Sequence, residues 1–243
     1  MAKRRVGLVD ETGTMSAEGL AALAAALQTQ VTRDLGPAWG VSATVSVGAS
    51  TAHTWKLRIV PPEKLPPGAG GVHLDEKGLP YAIVGPGPHM SLAASHELCE
   101  MLVDPFGRNV VTAPSLDPAA DGRTVYYLVE VGDPCEVFSY DIDGVAVSDF
   151  VLQDYYHPQA ADPVDHLGKL TDPFEVPRGC YISWYDPADK RWHQVRPDGT
   201  IVTAAQESAF GSHPRADRDR AFGDAEEQHN LTRLFASYAP ASV

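Results

Sequence analysis

The sequence predicts a single α+β domain, in which a mixed sheet packs on one buried helix and β-hairpins fill the C-terminal half. Three observations predict this class. Apolar residues recur at helical spacing in two segments, 17–34 and 90–103. Apolar and polar residues alternate in short segments on both sides of the second helix. Turn-forming residues separate the segments, as is typical of a chain that mixes strands and helices.

The N-terminal half is predicted to alternate short strands with the two helices. Gly36-Pro37 is predicted to end the first helix. Asp104-Pro105 is predicted to end the second, because a residue that precedes proline disfavours the helical conformation. Pro80 predicts an edge position for its strand, since proline cannot donate a backbone hydrogen bond to a neighbour. The strands predicted in this half are residues 6–9, 41–47, 55–59 and 79–84.

The C-terminal half is predicted to contain strands joined by turns. A strand at 125–131 follows a long loop, and Asp-Ile-Asp-Gly at 141–144 is typical of a hairpin turn. A second hairpin is predicted from strands at 180–185 and 192–195. We expect the domain to span residues 1–200 and residues 201–243 to form an extension that is partly helical or loosely ordered. Its charged stretch lacks a continuous apolar face, so residues beyond about 210 are expected to be dispensable for folding.

The composition argues against several classes of partner. The 243 residues carry 19 Lys and Arg against 32 Asp and Glu, a formal net charge of −13. Such an acidic surface repels phosphate backbones and anionic lipids, so neither nucleic acid nor a membrane is expected as a partner. No apolar run approaches the roughly 20 residues that span a bilayer, and residues 6–9 are too short for the core of a signal peptide. Three scattered cysteines fit a reducing cytoplasm.

The strongest candidates for catalytic residues lie in the segment SLAASHELCEMLVDP at residues 91–105, which contains an HExxE motif. On a helix His96 and Glu100 lie one turn apart on the same face, so both can bind one ion. In HExxH zinc hydrolases the glutamate after the first histidine is the general base, which assigns that role to Glu97. The alternative is a surface helix on which both glutamates face solvent. The small and apolar residues around the motif favour a buried helix, where its polar groups need partners.

The segment LVEVGDPCE at residues 128–136 is predicted to complete the site. A strand delivers Glu130 and the following turn presents Asp133, so either carboxylate can be the third ligand. The alternative is a β-turn in which Asp133 caps the backbone and Glu130 faces solvent. With His96, Glu100 and one of these carboxylates, the donor set nearly neutralises a divalent ion. Zinc is the first expectation, and the hard oxygen ligands leave manganese, iron or calcium as alternatives.

The segment SHELCEMLVDP, followed about 25 residues later by EVGDPC, resembles a pattern in little-characterised zincin-like proteins of bacteria and their phages. A related form occurs in the phosphate-induced (exordium-like) proteins of plants. The close match covers roughly residues 91–136, and looser similarity extends to about residue 180. The resemblance implies a zincin-like fold, with an active-site helix under a small mixed sheet. It implies His96 and Glu100 as metal ligands and Glu97 as the catalytic acid/base, while Asp133 and Glu130 match the acidic positions of the pattern.

His73, in GVHLDEKG just before the predicted edge strand, is a further candidate. In zincins such a strand borders the substrate cleft, so the resemblance implies that His73 is a ligand or an oxyanion stabiliser. The alternative is a solvated loop histidine. Neither a GxSxG nor a GxGxxG motif occurs, which argues against a serine hydrolase and against a nucleotide cofactor.

The sequence therefore predicts a metal-dependent hydrolase, in the first instance a zinc peptidase that cleaves a peptide or protein substrate through a metal-activated water. The alternative is a catalytically inactive zincin-like protein with a structural metal, which would bind a partner or belong to a phage particle. A catalytic metal site keeps one coordination position for water, whereas a structural site is closed by protein ligands. The oligomeric state stays open at this stage.

Overall fold

The computed structural model of the chain describes residues 4–203, except residues 50, 67, 68, 162 and 197. Over this range the protein is a mixed α+β structure, as predicted. Most of the predicted C-terminal extension lies outside the described residues. The helices are α1 (Ala17–Thr29), α2 (Gly36–Trp39) and α3 (Met90–Val103). The strands are β1 (Arg4–Asp10), β2 (Ala43–Val47), β3 (Trp55–Ile59), β4 (Gly71–Glu76), β5 (Leu79–Val84), β6 (Val110–Pro114), β7 (Thr124–Leu128), β8 (Ser139–Ile142), β9 (Val145–Ser148), β10 (Ile182–Asp186), β11 (Arg191–Val195) and β12 (Ile201–Thr203).

The first sheet has the strand order β2-β1-β3-β5-β4. Strands β2, β1, β3 and β5 run parallel, whereas β4 pairs antiparallel with β5 at the edge. Helices α1 and α3 pack against this sheet. Leu8 of β1, Leu57 of β3, Leu27 of α1 and Leu98 of α3 are completely buried in one apolar cluster. Each such leucine contributes about 1.5–3 kcal/mol through burial, so this cluster fixes α3 against the sheet.

Helix α1 begins where the sequence predicts, but the continuous helical segment ends later than predicted. Ser16 accepts a hydrogen bond from the backbone N–H of Gly19, the expected N-cap contact. The prediction that Gly36-Pro37 ends the helix is wrong, because residues 30–35 form a wider π-helical segment and α2 continues to Trp39. Pro37 falls in the first turn of α2, where a missing N–H costs little. The path ends at Gly40, which adopts a left-handed conformation with φ of 65°.

The edge of the first sheet differs from the prediction. Strand β5 lies between β3 and β4, so the edge position predicted from Pro80 is wrong. Pairing between β3 and β5 begins only at Tyr81, and Pro80 therefore lies beyond the end of the β3 ladder. The true edge strand is β4, which is not among the strands predicted from the sequence. His73 is a residue of this strand and is paired with Ala82 of β5.

The second sheet is antiparallel, with the order β12-β11-β10-β7-β6. The hairpin predicted around residues 186–190 is confirmed as β10 and β11. The hairpin predicted around residues 141–144 is confirmed as β8 and β9, with Asp143 and Gly144 at positive φ as a type I′ turn requires. Strand β6 was expected to be part of a loop. Strand β7 leads directly into the segment that carries Glu130 and Asp133.

Among the described residues, no helix combines the length and the apolar character needed to cross a membrane.

Candidate metal centre

Helix α3 presents the HExxE motif to the interior of the protein. Every residue from Ala94 to Val103 is buried. His96 is 9% exposed, Glu97 is 7% exposed and Glu100 is 4% exposed, so the alternative of a solvated surface helix does not hold. Ionisable side chains at this depth need charged or hydrogen-bonding partners, and those partners come from two other segments.

Strand β4 brings His73 over α3. The ring is 4% exposed, so the alternative of a solvated loop histidine also fails. Its Nδ1 atom lies 3.5 Å from Oε2 of Glu97 and 3.4 Å from Oε2 of Glu100. Its Nε2 atom lies 3.2 Å from the carbonyl oxygen of Asp104, which is the residue that ends α3. The end of the helix thus fixes the orientation of the imidazole.

Asp104 ends α3 in the way that Asp-Pro predicts, and its side chain gives the reason. The Asp104 carboxylate accepts backbone hydrogen bonds from Arg108 at 2.8 Å and Asn109 at 3.1 Å. These contacts fold the chain back after the helix and hold the Asp104 carbonyl towards His73. Sequence reasoning used Asp104 only as a stop signal and missed this positioning contact.

The segment after β7 supplies the remaining carboxylates. Glu130 was predicted to lie on the strand itself, but β7 ends at Leu128. Oδ1 of Asp133 lies 3.3 Å from Nε2 of His96, and Oε1 of Glu100 lies at the same distance from that nitrogen. Oε2 of Glu130 lies 3.6 Å from Nε2 of His73. Asp133 and Glu130 are 1% and 4% exposed, so the alternative of a solvent-facing β-turn does not hold.

The structure therefore brings all six candidate side chains into one buried centre, and five of them form two groups of potential ligands. We call His96, Glu100 and Asp133 the primary site. We call His73, Glu97 and Glu100 the second site. Within each group one ligand atom per residue lies within 4.8 Å of the others. Glu130 belongs to neither group and contacts His73 on the other side of the imidazole ring, so Asp133 is the better candidate for the third ligand of the primary site.

The spacing within this centre is wider than that of the arginine–carboxylate hydrogen bonds elsewhere in the protein. Its five histidine–carboxylate separations are 3.3–3.6 Å. By comparison, Arg58 lies 2.6 Å from Glu11, and Arg123 lies 2.8 Å from Asp186. Ligands bound at 2.0–2.1 Å to a tetrahedral zinc ion are about 3.3–3.4 Å apart. The four separations that involve Glu97, Glu100 and Asp133 are thus closer to this ligand spacing than to a direct N–H···O bond of about 2.7–2.9 Å.

Without an ion, protons must balance the charge of this centre. Burial alone would lower the pKa of His73, but the surrounding carboxylates, Glu130 first, raise it to about 10. Burial also opposes charge on His96, yet Glu100 and its neighbours raise the pKa of His96 well above its usual range. Burial raises the pKa of the Glu97 carboxyl against the opposing effect of both histidines. The carboxylates therefore hold excess negative charge, which a divalent cation would neutralise.

The cysteines near the centre are not suitable ligands in this arrangement. The thiol of Cys135 is oriented towards the carbonyl oxygens of Val131 and Gly132. Burial raises the pKa of Cys135 and of Cys99, so both remain thiols at neutral pH. Coordination by a thiolate would require their deprotonation, and the nitrogen and oxygen donors are better placed.

Sequence reasoning missed a third group, formed by Asp186, Asp189 and His193 on the hairpin of β10 and β11. Its contacts are short and account for it structurally. Asp186 accepts a hydrogen bond from Arg123 at 2.8 Å, and His193 lies 3.0 Å from Asp189. Only the spacing of acidic residues before a histidine in one hairpin could have signalled it. These contacts stabilise the turn of that hairpin.

Comparison with protein-family models, with curated proteins and with solved structures finds no match to this chain.

Proposed function

We propose that this protein is a metal-dependent hydrolase whose ion is held by the primary site, His96, Glu100 and Asp133. The observation that carries the proposal is the pair of 3.3 Å separations from Nε2 of His96 to Oε1 of Glu100 and to Oδ1 of Asp133. One imidazole nitrogen and two carboxylate oxygens form a donor set that suits zinc, and also manganese or iron. Three protein ligands leave one tetrahedral position for water, the arrangement of catalytic zinc sites.

The chain's own residues supply the remaining requirements of hydrolysis. Glu97 follows the ligand His96 on α3, and its carboxyl lies within the same buried centre. We assign it the transfer of a proton from water to the leaving group. A bound ion would polarise the scissile carbonyl and acidify its water. His73 lies beside the base, with its Nδ1 atom 3.5 Å from Oε2 of Glu97.

A peptide is the substrate class that best fits the surroundings of the site. Strand β4 pairs with β5 on one side only and is the edge of the first sheet. An extended peptide can add to such an edge through main-chain hydrogen bonds. Because β4 also carries His73, a peptide on this edge would run beside the metal centre. A parallel sheet with one antiparallel edge strand above α3 supports the zincin-like fold that the motif resembles.

A structural metal site is the second candidate, and the burial of the ligands favours it. His96, Glu100 and Asp133 are all less than 10% exposed. A closed site would hold α3 to the segment after β7 and would catalyse nothing. The three cysteines are free thiols, which supports the expected cytoplasmic location for either candidate.

Substitution of Glu97 separates the two candidates. Glu97→Gln keeps the size of the side chain and removes its basic oxygen. In a hydrolase this variant keeps the ion at the primary site and loses about 10²–10⁴-fold in turnover, the usual contribution of a positioned acid/base group. Glu100→Gln should weaken metal affinity instead. The matched control is Glu18→Gln on the exposed side of α1, which should change neither quantity.

The experiment is elemental analysis of each purified full-length variant, combined with cleavage of a peptide library. Cleavage by the wild type loaded with one equivalent of zinc, and loss of cleavage in metal-bound Glu97→Gln, support the hydrolase. Absence of any cleavage with the ion bound makes the structural site the better proposal. If the wild-type chain, stripped with chelator and resupplied with zinc, manganese or calcium, binds no ion, both proposals fail.

A further inference from the structure

The carboxylate of Glu100 faces two different histidines with its two oxygens. Oε1 lies 3.3 Å from Nε2 of His96, whereas Oε2 lies 3.4 Å from Nδ1 of His73. Oε1 also accepts a hydrogen bond from the backbone N–H of Gly132 at 3.2 Å, which fixes the orientation of the carboxylate. A carboxylate held in this way can bind one cation on each oxygen.

The environment of His73 shows which ring nitrogen carries hydrogen. Nε2 faces the carbonyl oxygen of Asp104 at 3.2 Å and a carboxylate oxygen of Glu130 at 3.6 Å. Because both are acceptors, Nε2 carries the hydrogen. In the neutral ring Nδ1 is then a lone pair that faces carboxylate oxygens of Glu97 and Glu100 at 3.5 and 3.4 Å. Three acceptor atoms converge at this point, and only a cation or a proton between them relieves their repulsion.

The distances favour a metal cation over a proton. A histidinium that donates to a carboxylate gives N···O separations of about 2.7–2.9 Å. The observed 3.4 and 3.5 Å are close to the ligand spacing of a tetrahedral ion, about 3.3–3.4 Å. Four carboxylates contact the two histidines, so the centre offers anionic oxygens for two divalent cations. These carboxylates belong to Glu97, Glu100, Glu130 and Asp133.

We propose that the second site, formed by His73, Glu97 and Glu100, binds a second divalent cation and that Glu100 bridges the two ions. A cation there binds the Glu97 oxygen that faces His73 and withdraws charge from the carboxylate, so Glu97 becomes a weaker base towards water while the cation is bound. The second ion is therefore an inhibitor. Its inhibitory effect rests on the hydrolase function proposed above, whereas the binding of the cation does not.

Zinc titration of the chelator-stripped full-length protein by calorimetry, with elemental analysis of the loaded protein, tests the proposal. We expect close to two zinc ions per chain in two binding phases. His73→Gln should bind one, because its amide can still donate to the Asp104 carbonyl but offers no ligand in place of Nδ1. Glu97→Gln should also bind one zinc ion. This second variant keeps the test valid if His73→Gln fails to fold. His157→Ala is the matched control, since the side chain of His157 is 67% exposed.

The outcomes separate the second site from the primary site. One ion in the wild type and one in His73→Gln overturns the second site and leaves the proposed function standing. Binding of no ion overturns both. Two ions in the wild type and still two in His73→Gln also overturn the proposal and place the extra ion elsewhere. Asp189→Asn then tests the hairpin group of Asp186, Asp189 and His193. If the wild type cleaves a peptide, its rate should fall as the second phase fills.

Discussion

Gly132 lies directly against the imidazole of His96. A β-carbon at residue 132 would lie 2.5 Å from Nδ1 and 2.7 Å from Cε1 of His96. The backbone of Gly132 has φ of −88° and ψ of −35°, values that any residue adopts. The position therefore needs glycine because of the ring beside it and not because of its backbone conformation. The glycine of EVGDPC thus allows the turn that carries Asp133 to approach His96.

We predict that Gly132→Ala displaces His96 from the primary site and weakens metal binding. Forcing a methyl group into a filled interior costs about 1–3 kcal/mol, and here the group that must move is the proposed ligand His96. Zinc affinity measured by competition with a chromophoric chelator checks this. Gly19→Ala in α1 is the matched control, because its β-carbon would meet only ordinary contacts at 3.4 Å or more. Unchanged zinc affinity in Gly132→Ala would contradict the placement of His96.

Removal of the metal should lower the melting temperature. An ion that binds only the folded state stabilises it by mass action, by about 2.7 kcal/mol at a free concentration 100 times Kd. For a chain of this length that free energy corresponds to roughly 5–11 °C. Thermal unfolding followed by circular dichroism, with and without chelator, gives the measurement. His96→Ala should show no response to chelator, and a wild-type curve unchanged after verified removal of the ion would refute the linkage.

The parts of the fold and site that the sequence predicts are local ones. His96 and Glu100 lie four residues apart, so the helical period alone puts them on one face of α3. The turn at Asp143-Gly144 follows from the left-handed preference of those two residues. Glu130 and Asp133 were expected near the motif because they surround a turn at the end of a strand. In each case a few consecutive residues carry the physical reason.

The parts that sequence reasoning missed depend on contacts between distant segments. His73 reaches α3 because β4 pairs antiparallel with β5, and no local pattern fixes which strands become neighbours. The contact between His73 and the carbonyl of Asp104 joins residues 31 positions apart. Pro80 was assigned to an edge strand because its missing N–H was considered alone. Pairing between β3 and β5 begins only at Tyr81, so the ladder with β3 needs no backbone N–H from residue 80.

Ser95 connects α3 to the rest of the protein, and its loss should cost stability without loss of metal. Its hydroxyl donates to Oε1 of Gln30 at 2.9 Å and accepts from the backbone N–H of Ser148 at 2.8 Å. Ser95→Ala leaves both buried groups without this partner, at a cost of about 1–3 kcal/mol. Denaturant unfolding and elemental analysis measure the two quantities. Ser139→Ala, at an exposed position, is the control. Loss of cleavage at unchanged stability would instead indicate a nucleophilic serine.

Asp149 forms a buried acid pair with Asp165 away from the primary site. Both side chains are fully buried. Asp165 accepts backbone hydrogen bonds from Lys169 and Leu170, each at 2.9 Å, and Asp149 accepts one from Phe150 at 2.8 Å. Burial, the hydrogen bond to Asp165 and the charge of Asp165 raise the pKa of Asp149 to about 8. A pKa of about 8 favours the protonated form of Asp149 at neutral pH.

Asp149→Asn should remove a pH dependence of stability. The folded protein keeps a proton on Asp149 up to about pH 8, whereas the unfolded chain releases it near pH 4. Because the folded state binds more protons between these values, this group makes the free energy of unfolding fall as pH rises through that window. Asparagine keeps an amide donor towards Asp165 and does not titrate. Relative to wild type, the variant should gain as much as roughly 3 kcal/mol between pH 5 and pH 7.5. Urea unfolding of both proteins at each pH measures the difference, with Asp143→Asn on the exposed hairpin turn as the control. Parallel pH profiles for the wild type and Asp149→Asn would show that Asp149 is ionised in the folded protein.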